Sequence, residues 1–116
     1  MIKTMTYVVV REEGEIGGAI NRLDTIGITD NHYEAVGIAS CRFEDIINDT
    51  INCCATQDNK PIKLKSRKDK FELDVADRKV ESWYAEFDDG TYLLVRILLP
   101  WNEEDLTTEW RKNERD

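Results

Sequence analysis

The chain has 116 residues, of which 41% are hydrophobic and 9% aromatic. That is enough for a single domain, 1–116, with one core that requires neither disulfides nor a metal. Charged residues make up 34% and the formal net charge is −8, which repels polyanions beyond short range. The apolar stretch 92–99 is broken by Arg96 and is too short to cross a membrane.

The first predicted element is a β-strand over 4–12. One face carries Met5, Tyr7 and Val9, and the other carries Val8 and Val10. These residues are mostly β-branched or aromatic, as is typical of strands. A strand that is apolar on both faces is expected in the interior of a sheet.

A glycine-rich segment, 14–18, ends this strand. Apolar residues then recur with helical spacing at Ile16, Ala19, Ile20 and Leu23. The pattern predicts a short helix that ends over 24–27, although each of its two glycines costs about 1 kcal/mol relative to alanine.

The strongest helical pattern covers residues 41–55. One face carries Phe43, Ile46, Ile47, Ile51 and Cys54. Ser40 is the predicted N-cap, and two acidic residues lie in or just past the first turn. The preceding segment 33–39 fits either a separate helix or a strand, and Gly37 favours a break there.

Two strands are predicted next, over 62–67 and 71–75, between turns at 58–61 and 76–79. In the first strand, Ile62, Leu64 and Ser66 alternate with Lys63, Lys65 and Arg67. Alternation with a period of two predicts one side facing the core and one basic side facing solvent.

The segment 80–99 predicts a β-hairpin with a three-residue loop, Asp88-Asp89-Gly90, in which Gly90 is left-handed. This register gives one face that is apolar throughout, whereas a two-residue loop would pair Glu86 with Leu93 and mix charge into the core. The predicted core face comprises Trp83, Ala85, Phe87, Leu93, Val95, Ile97 and Leu99.

Pro100 is predicted to end the hairpin. Asn102 is predicted to cap a last helix with a Trp101–Leu106 staple, and residues 112–116 are expected to fray. The predicted fold is therefore α+β, an antiparallel sheet of four or five strands with two or three helices packed on one face.

The basic segment 60–70 is the first candidate for chemistry. It holds six basic residues and one acidic residue, a net charge of +5, while the other 105 residues carry −13. Lys63, Lys65 and Arg67 are predicted to project from one strand face about 7 Å apart, a spacing that suits phosphates. With Arg22, and with Arg96 as a further candidate, they form a possible anion site. The alternative is a solvated edge that discourages strand pairing.

Other candidates for chemistry are weaker. The glycines at 14–18 lack both phosphate-loop spacings, and His32 is the only histidine available to a catalytic arrangement. Cys41, Cys53 and Cys54 offer no C-x-x-C spacing, so no metal and no cofactor are expected. The odd cysteine count and the absence of a signal-peptide pattern favour a reducing, cytoplasmic compartment.

The leading functional hypothesis is a non-enzymatic, acidic interaction module that binds and inhibits a macromolecular protein partner, with no membrane involved. Small acidic inhibitors, immunity proteins and phage accessory proteins share this composition. The hypothesis rests on the second face of the hairpin, which retains apolar and aromatic side chains that need covering. The candidate contact residues are Tyr84, Tyr92, Leu94, Arg96 and Leu98, with Asp88 and Asp89 at the hairpin tip.

A homodimer formed through the same face is equally compatible with this pattern. The alternatives are a small-ligand protein that captures a nucleotide-like anion on the basic segment and, third, a nucleic-acid-binding protein. An enzyme comes last, because the sequence shows no second histidine, metal spacing or nucleophile motif.

Overall fold

The fold is known from a computed structural model, which describes residues 6–52, 61–75 and 78–101. The elements are β1 (Thr6–Glu15), β2 (Ile20–Thr29), α1 (His32–Asn52), β3 (Leu64–Val75), β4 (Arg78–Phe87) and β5 (Thr91–Trp101). The five strands form one antiparallel sheet in the order β2-β1-β5-β4-β3. The predicted α+β class and antiparallel sheet are confirmed, but the described residues contain one helix and not the two or three that were predicted.

The sheet consists of two consecutive strand groups joined by the helix. β1 and β2 form a hairpin, and β3, β4 and β5 form a meander that rejoins the hairpin where β5 pairs with β1. β1 is therefore an interior strand, as its two apolar faces predicted. β2 and β3 are the two edge strands.

The core lies between α1 and one face of the sheet. The helix buries Ala35, Ala39, Phe43, Ile46 and Ile47. The sheet contributes Val9, Trp83, Ala85, Phe87, Leu93, Val95 and Ile97. The core face predicted for the 80–99 hairpin is confirmed for all these residues of β4 and β5; the side chain of Leu99 lies outside the described part.

The β4–β5 hairpin has the predicted register. Trp83 pairs with Val95 and Ala85 with Leu93, and residues 88–90 form the loop. Gly90 has φ of +86°, and its N–H donates to the Phe87 carbonyl over 3.2 Å. Glycine adopts this left-handed backbone without the strain a Cβ would add.

The helix predicted over 16–23 is wrong, because these residues form the β1–β2 turn and the start of β2. The Glu15 N–H donates to the Ala19 carbonyl over 3.1 Å, and Gly17 takes the left-handed conformation with φ of +73°. Glycines that weaken a helix supply this turn. Ile20 and Leu23 are exposed side chains of an edge strand.

The helix predicted to start at Ser40 starts earlier, at His32. Asn31 caps it, since its side-chain Oδ1 accepts the Glu34 N–H over 3.2 Å. The ambiguous segment 33–39 belongs to this helix, and Ser40 is an exposed residue within it. Gly37 is tolerated because it is exposed and has no neighbour where a Cβ would lie. Residues 53–55 of the predicted helix lie outside the described part.

The two strands predicted over 62–67 and 71–75 are one strand, β3. Its register with β4 shifts between Leu64 and Ser66 and again between Lys68 and Phe71, and Lys70 has φ of +39°. These are β-bulges, which bend a strand without ending it. Of the turn predicted over 76–79, residues 78 and 79 belong to β4, and residues 76 and 77 lie outside the described part.

At the other end of the meander, β5 continues past Pro100 to Trp101, so the prediction that Pro100 ends the strand is wrong. The helix predicted from Asn102 lies outside the described residues, as does the fraying expected at 112–116. Within the described residues, no helix is long and apolar enough to cross a membrane.

Candidate functional site

The candidate site is the face of the sheet opposite α1, here called the outer face. Strand alternation assigns to it Val8, Val10 and Glu12 of β1, Leu23 and Ile28 of β2, Tyr84 of β4, and Tyr92, Leu94, Arg96 and Leu98 of β5. The five residues predicted from the second side of the hairpin are therefore brought together, and β1 and β2 extend the surface.

The outer face is largely apolar, and its most accessible part lies on β2, whereas Val80 and Ser82 of β4 are buried. Leu94 and Leu98 are half-buried, while Leu23 and Ile28 are 60% and 66% exposed. The only described helix packs on the other side of the sheet, so no described helix covers Leu94 or Leu98. Contiguous apolar surface of this kind marks contact sites on soluble proteins.

A polar cluster lies in the middle of the outer face. The Tyr92 hydroxyl donates to Glu12 Oε2 over 2.7 Å, and Arg96 Nη2 donates to Glu12 Oε1 over 3.4 Å. The side chains of Glu12 and Arg96 are only 16% and 20% exposed. The charge of Arg96 is thus matched within the chain, although its Nε is buried without a partner.

Two tyrosines connect this cluster to β4. The rings of Tyr84 and Tyr92 lie 6.0 Å apart, and the Tyr84 hydroxyl donates to Glu86 Oε1 over 2.8 Å. Burial, reinforced by the bond to Glu86, raises the pKa of Tyr84 to about 12. The hydrogen bond to Glu12 raises the pKa of Tyr92. Both hydroxyls are therefore neutral hydrogen-bond donors at physiological pH.

Gly14 makes room for the ring of Tyr92, its cross-strand partner. A Cβ on Gly14 would lie 3.1 Å from Tyr92 Cε1 and 2.6 Å from the Ala19 carbonyl oxygen. The glycine segment 14–18, considered above for phosphate binding, thus has two structural roles in the turn and under this ring.

The two aspartates at the hairpin tip bind the chain's own backbone. Asp88 Oδ1 accepts the Lys63 N–H over 2.9 Å, and the Asp88 N–H donates to the Lys63 carbonyl. Asp89 Oδ1 accepts from the backbone and hydroxyl of Thr91, at 3.0 and 2.6 Å. Both residues are exposed, at the end of the sheet and adjacent to the outer face.

The basic segment does not present the predicted row of cations. The register shift between Leu64 and Ser66 places Leu64 and Arg67 on the same, helix-facing side. Arg67 lies over the Phe43 ring at 5.3 Å and forms ion pairs with Glu44 and Asp69 at 2.8 and 2.7 Å. The bonds to Asp69 and then Glu44 raise the pKa of Arg67, and Arg67 in turn lowers the pKa of Asp69.

Arg22 is far from the other proposed anion ligands. It lies on β2, where it pairs with Asp24 at 2.9 Å, whereas Lys63, Lys65 and Arg67 lie at or before the start of β3 on the opposite edge. Four strand spacings separate the two edges, or about 19 Å. The structure does not bring the anion-binding set together.

His32, the first residue of α1, lines a cleft that the sequence did not suggest. Its Nε2 is 2.6 Å from Glu81 Oε1, and its ring packs 5.4 Å from that of Tyr7. The cleft measures about 290 Å³. Residues 32 and 81 are 49 positions apart, so no local pattern could reveal the pair.

The cysteines and histidine do not form a described cluster. Cys41 is an exposed free thiol on the same helix as His32, nine residues or about 14 Å along it, and Cys53 and Cys54 lie outside the described part. Among residues 6–52, 61–75 and 78–101, no group of three metal-ligating side chains is found.

No protein-family model, curated protein or solved structure shows significant similarity to this sequence. The geometry of the outer face is therefore the basis for assigning a function.

Proposed function

We propose that this chain is a protein-interaction module and that the outer face is where it binds its partner. The observation that carries the proposal is that the exposed Leu23 and Ile28, the half-buried Leu94 and Leu98, and the paired tyrosines share one sheet face. Tyrosines held in place by hydrogen bonds are effective anchors, because little conformational freedom is lost on binding.

The chemistry of the face suggests the kind of partner. The chain carries a net charge of −8, and the carboxylates of Glu12 and Glu86 lie among the apolar side chains. A protein surface with an apolar patch bordered by lysine and arginine complements this arrangement in charge and polarity. Occupation of a functional surface on that protein would inhibit it.

A pair of lysine substitutions tests the proposal. Ile28→Lys alters the exposed outer face, whereas Tyr33→Lys changes an 87% exposed side chain on α1 and serves as the matched control. Affinity capture from the native host, followed by calorimetry with the purified partner, compares both with the unmodified chain. Loss of an anchor commonly weakens binding by about 2 kcal/mol, or roughly 30-fold.

Weakened binding by Ile28→Lys but not by Tyr33→Lys supports the outer face. Equal binding by all three proteins, or no partner that distinguishes them, refutes it. Leu94→Lys gives a second criterion: if it unfolds the chain, then Leu94 is covered by the chain's own residues and the docking proposal fails.

The alternative functions have less support from the geometry. A small anionic ligand or a nucleic-acid strand needs several unpaired cations together, yet Arg67 is paired, Arg96 is matched by Glu12, and Arg22 is at the far edge. We propose no catalytic role, since His32 and Cys41 are too far apart to act together. A cytoplasmic location is part of the same proposal, because the exposed thiol of Cys41 suits a reducing compartment.

A further inference from the structure

The two edges of the sheet differ in a way that bears on self-association. β3 carries four basic residues, one of which, Lys70, has a left-handed backbone, and such features help to keep an edge from pairing. β2 carries no lysine and no proline, and its apolar Ile20, Leu23 and Ile28 are exposed. An accessible edge of this type is a template for another strand.

The register shows which backbone groups β2 presents outward. The Glu15 N–H donates to the carbonyl of Ala19, just before β2, and the Ile16 N–H donates to the carbonyl of Gly90, just before β5. Glu15 therefore directs its N–H to the β2 side and Ile16 to the β5 side. β1 pairs with β5 without a break from Val8 to Glu15, so its backbone groups alternate regularly along this length.

The backbone N–H and C=O groups of Glu13 and Arg11 therefore point toward β2, where their partners are Arg22 and Asp24. Leu23, which lies between these partners, directs its own N–H and C=O away from β1. Its side chain shares the outer face with Glu12, its cross-strand neighbour.

The charges beside Leu23 complement themselves across a two-fold axis. If β2 pairs antiparallel with a second β2 about Leu23, Arg22 of each copy lies opposite Asp24 of the other. In the single chain these two side chains pair with each other at 2.9 Å and are each about half exposed, so they are free to exchange partners. Register shifts at Asn21 and Ile26 leave only 22–25 regular, and a two-fold axis at Leu23 pairs residues 22–24 within this segment.

We propose that two copies of this chain associate through β2, antiparallel about Leu23, to give one continuous ten-stranded sheet. The paired Leu23 side chains extend the apolar outer face across both copies. The contact is short, so the dimer is expected to be weak and concentration-dependent. This inference is tested separately from the proposed function, because it uses the backbone edge of β2, although the Leu23 side chain also belongs to the outer face.

Charge reversal tests the register directly. Arg22→Asp places two aspartate pairs across the axis, and Asp24→Arg places two arginine pairs there. Each variant is expected to dimerise about tenfold more weakly than the unmodified chain, measured by sedimentation equilibrium at low ionic strength. Circular dichroism verifies that each variant is folded, as expected for changes to exposed side chains.

Mixing the two variants provides the decisive control. In the mixed pair, both aspartates of one chain face both arginines of the other, so the heterodimer is expected to regain the unmodified affinity. The double variant Arg22→Asp/Asp24→Arg is expected to regain it as a homodimer. An unmodified chain that stays monomeric up to about millimolar concentration overturns the proposal.

Dimerisation that neither single variant weakens, or that mixing does not restore, also overturns the β2 pairing. Neither result would bear on the outer face, which the Ile28→Lys and Tyr33→Lys comparison tests separately.

Discussion

Replacing the buried ion pair of the outer face by apolar side chains is the sharpest test of the packing described here. In Glu12→Leu, Arg96 keeps its charge but loses its carboxylate in a site where its side chain is only 20% exposed and its Nε is already without a partner. Breaking a fully buried pair costs about 3–5 kcal/mol. Because part of each side chain still meets solvent, we expect Glu12→Leu to lower the free energy of unfolding by about 2 kcal/mol.

The double variant Glu12→Leu/Arg96→Met is expected to recover most of this loss. Both charges are then removed together, and well-packed apolar residues commonly match or exceed a buried ion pair in stability. We expect the double variant to lie within about 1 kcal/mol of the unmodified chain. The Tyr92 hydroxyl loses its acceptor in both variants, so this loss cancels in the comparison between them.

Urea unfolding followed by circular dichroism measures these differences, with Arg96→Met completing the double-mutant cycle. A loss of 2 kcal/mol corresponds to a fall in melting temperature of about 8 °C for a domain of this size. A stable Glu12→Leu, or a double variant as unstable as the sum of the two single changes, would show that Glu12 and Arg96 do not interact as described.

Three other predictions concern stability. Because the pKa of Tyr84 is raised from 10.0 to about 12, its contribution is complete below pH 10 and declines as the pH rises toward 12. The absorbance of tyrosinate should show a late titration that Tyr84→Phe reduces by one tyrosine, while Tyr92, whose pKa is also raised, remains. Gly27→Ala should lower the free energy of unfolding by about 1–3 kcal/mol in thermal unfolding, since its Cβ would lie 2.8 Å from Ile38 Cγ2. Gly37→Ala should raise it by about 0.5–1 kcal/mol, because Gly37 is within α1 and has no atom near the position of its Cβ. Arg67→Ala should cost about 1 kcal/mol in urea unfolding by removing the cation–π contact and two partly exposed ion pairs, and an unchanged midpoint would contradict this.

The fold was predictable where strands alternate without interruption. The β4–β5 hairpin has a glycine at the loop position that needs one, and only one register gives an apolar face. The same reasoning failed where a β-bulge inserts a residue. At Asn21 a bulge places Ile20 and Leu23, three apart, on one face of β2, which imitates helical spacing. The bulge near Lys65 does the same for Leu64 and Arg67, so the predicted row of cations does not form.

The candidate site was predictable only in part. The apolar second face of the hairpin is visible in the alternation of Tyr92, Leu94 and Leu98. The cluster at its centre is not, because Glu12 and Tyr92 are 80 positions apart and meet only through the β1–β5 pairing. A single sequence carries no local signal for a contact of that range.

The irregular outline of β3 limits what any assembly of this protein can become. A sheet in which only one edge strand can pair with another copy can form a dimer but cannot add further copies. If β2 pairs as proposed, assembly stops at the dimer, because the lysines of β3 oppose pairing at the other edge and so prevent growth into fibres.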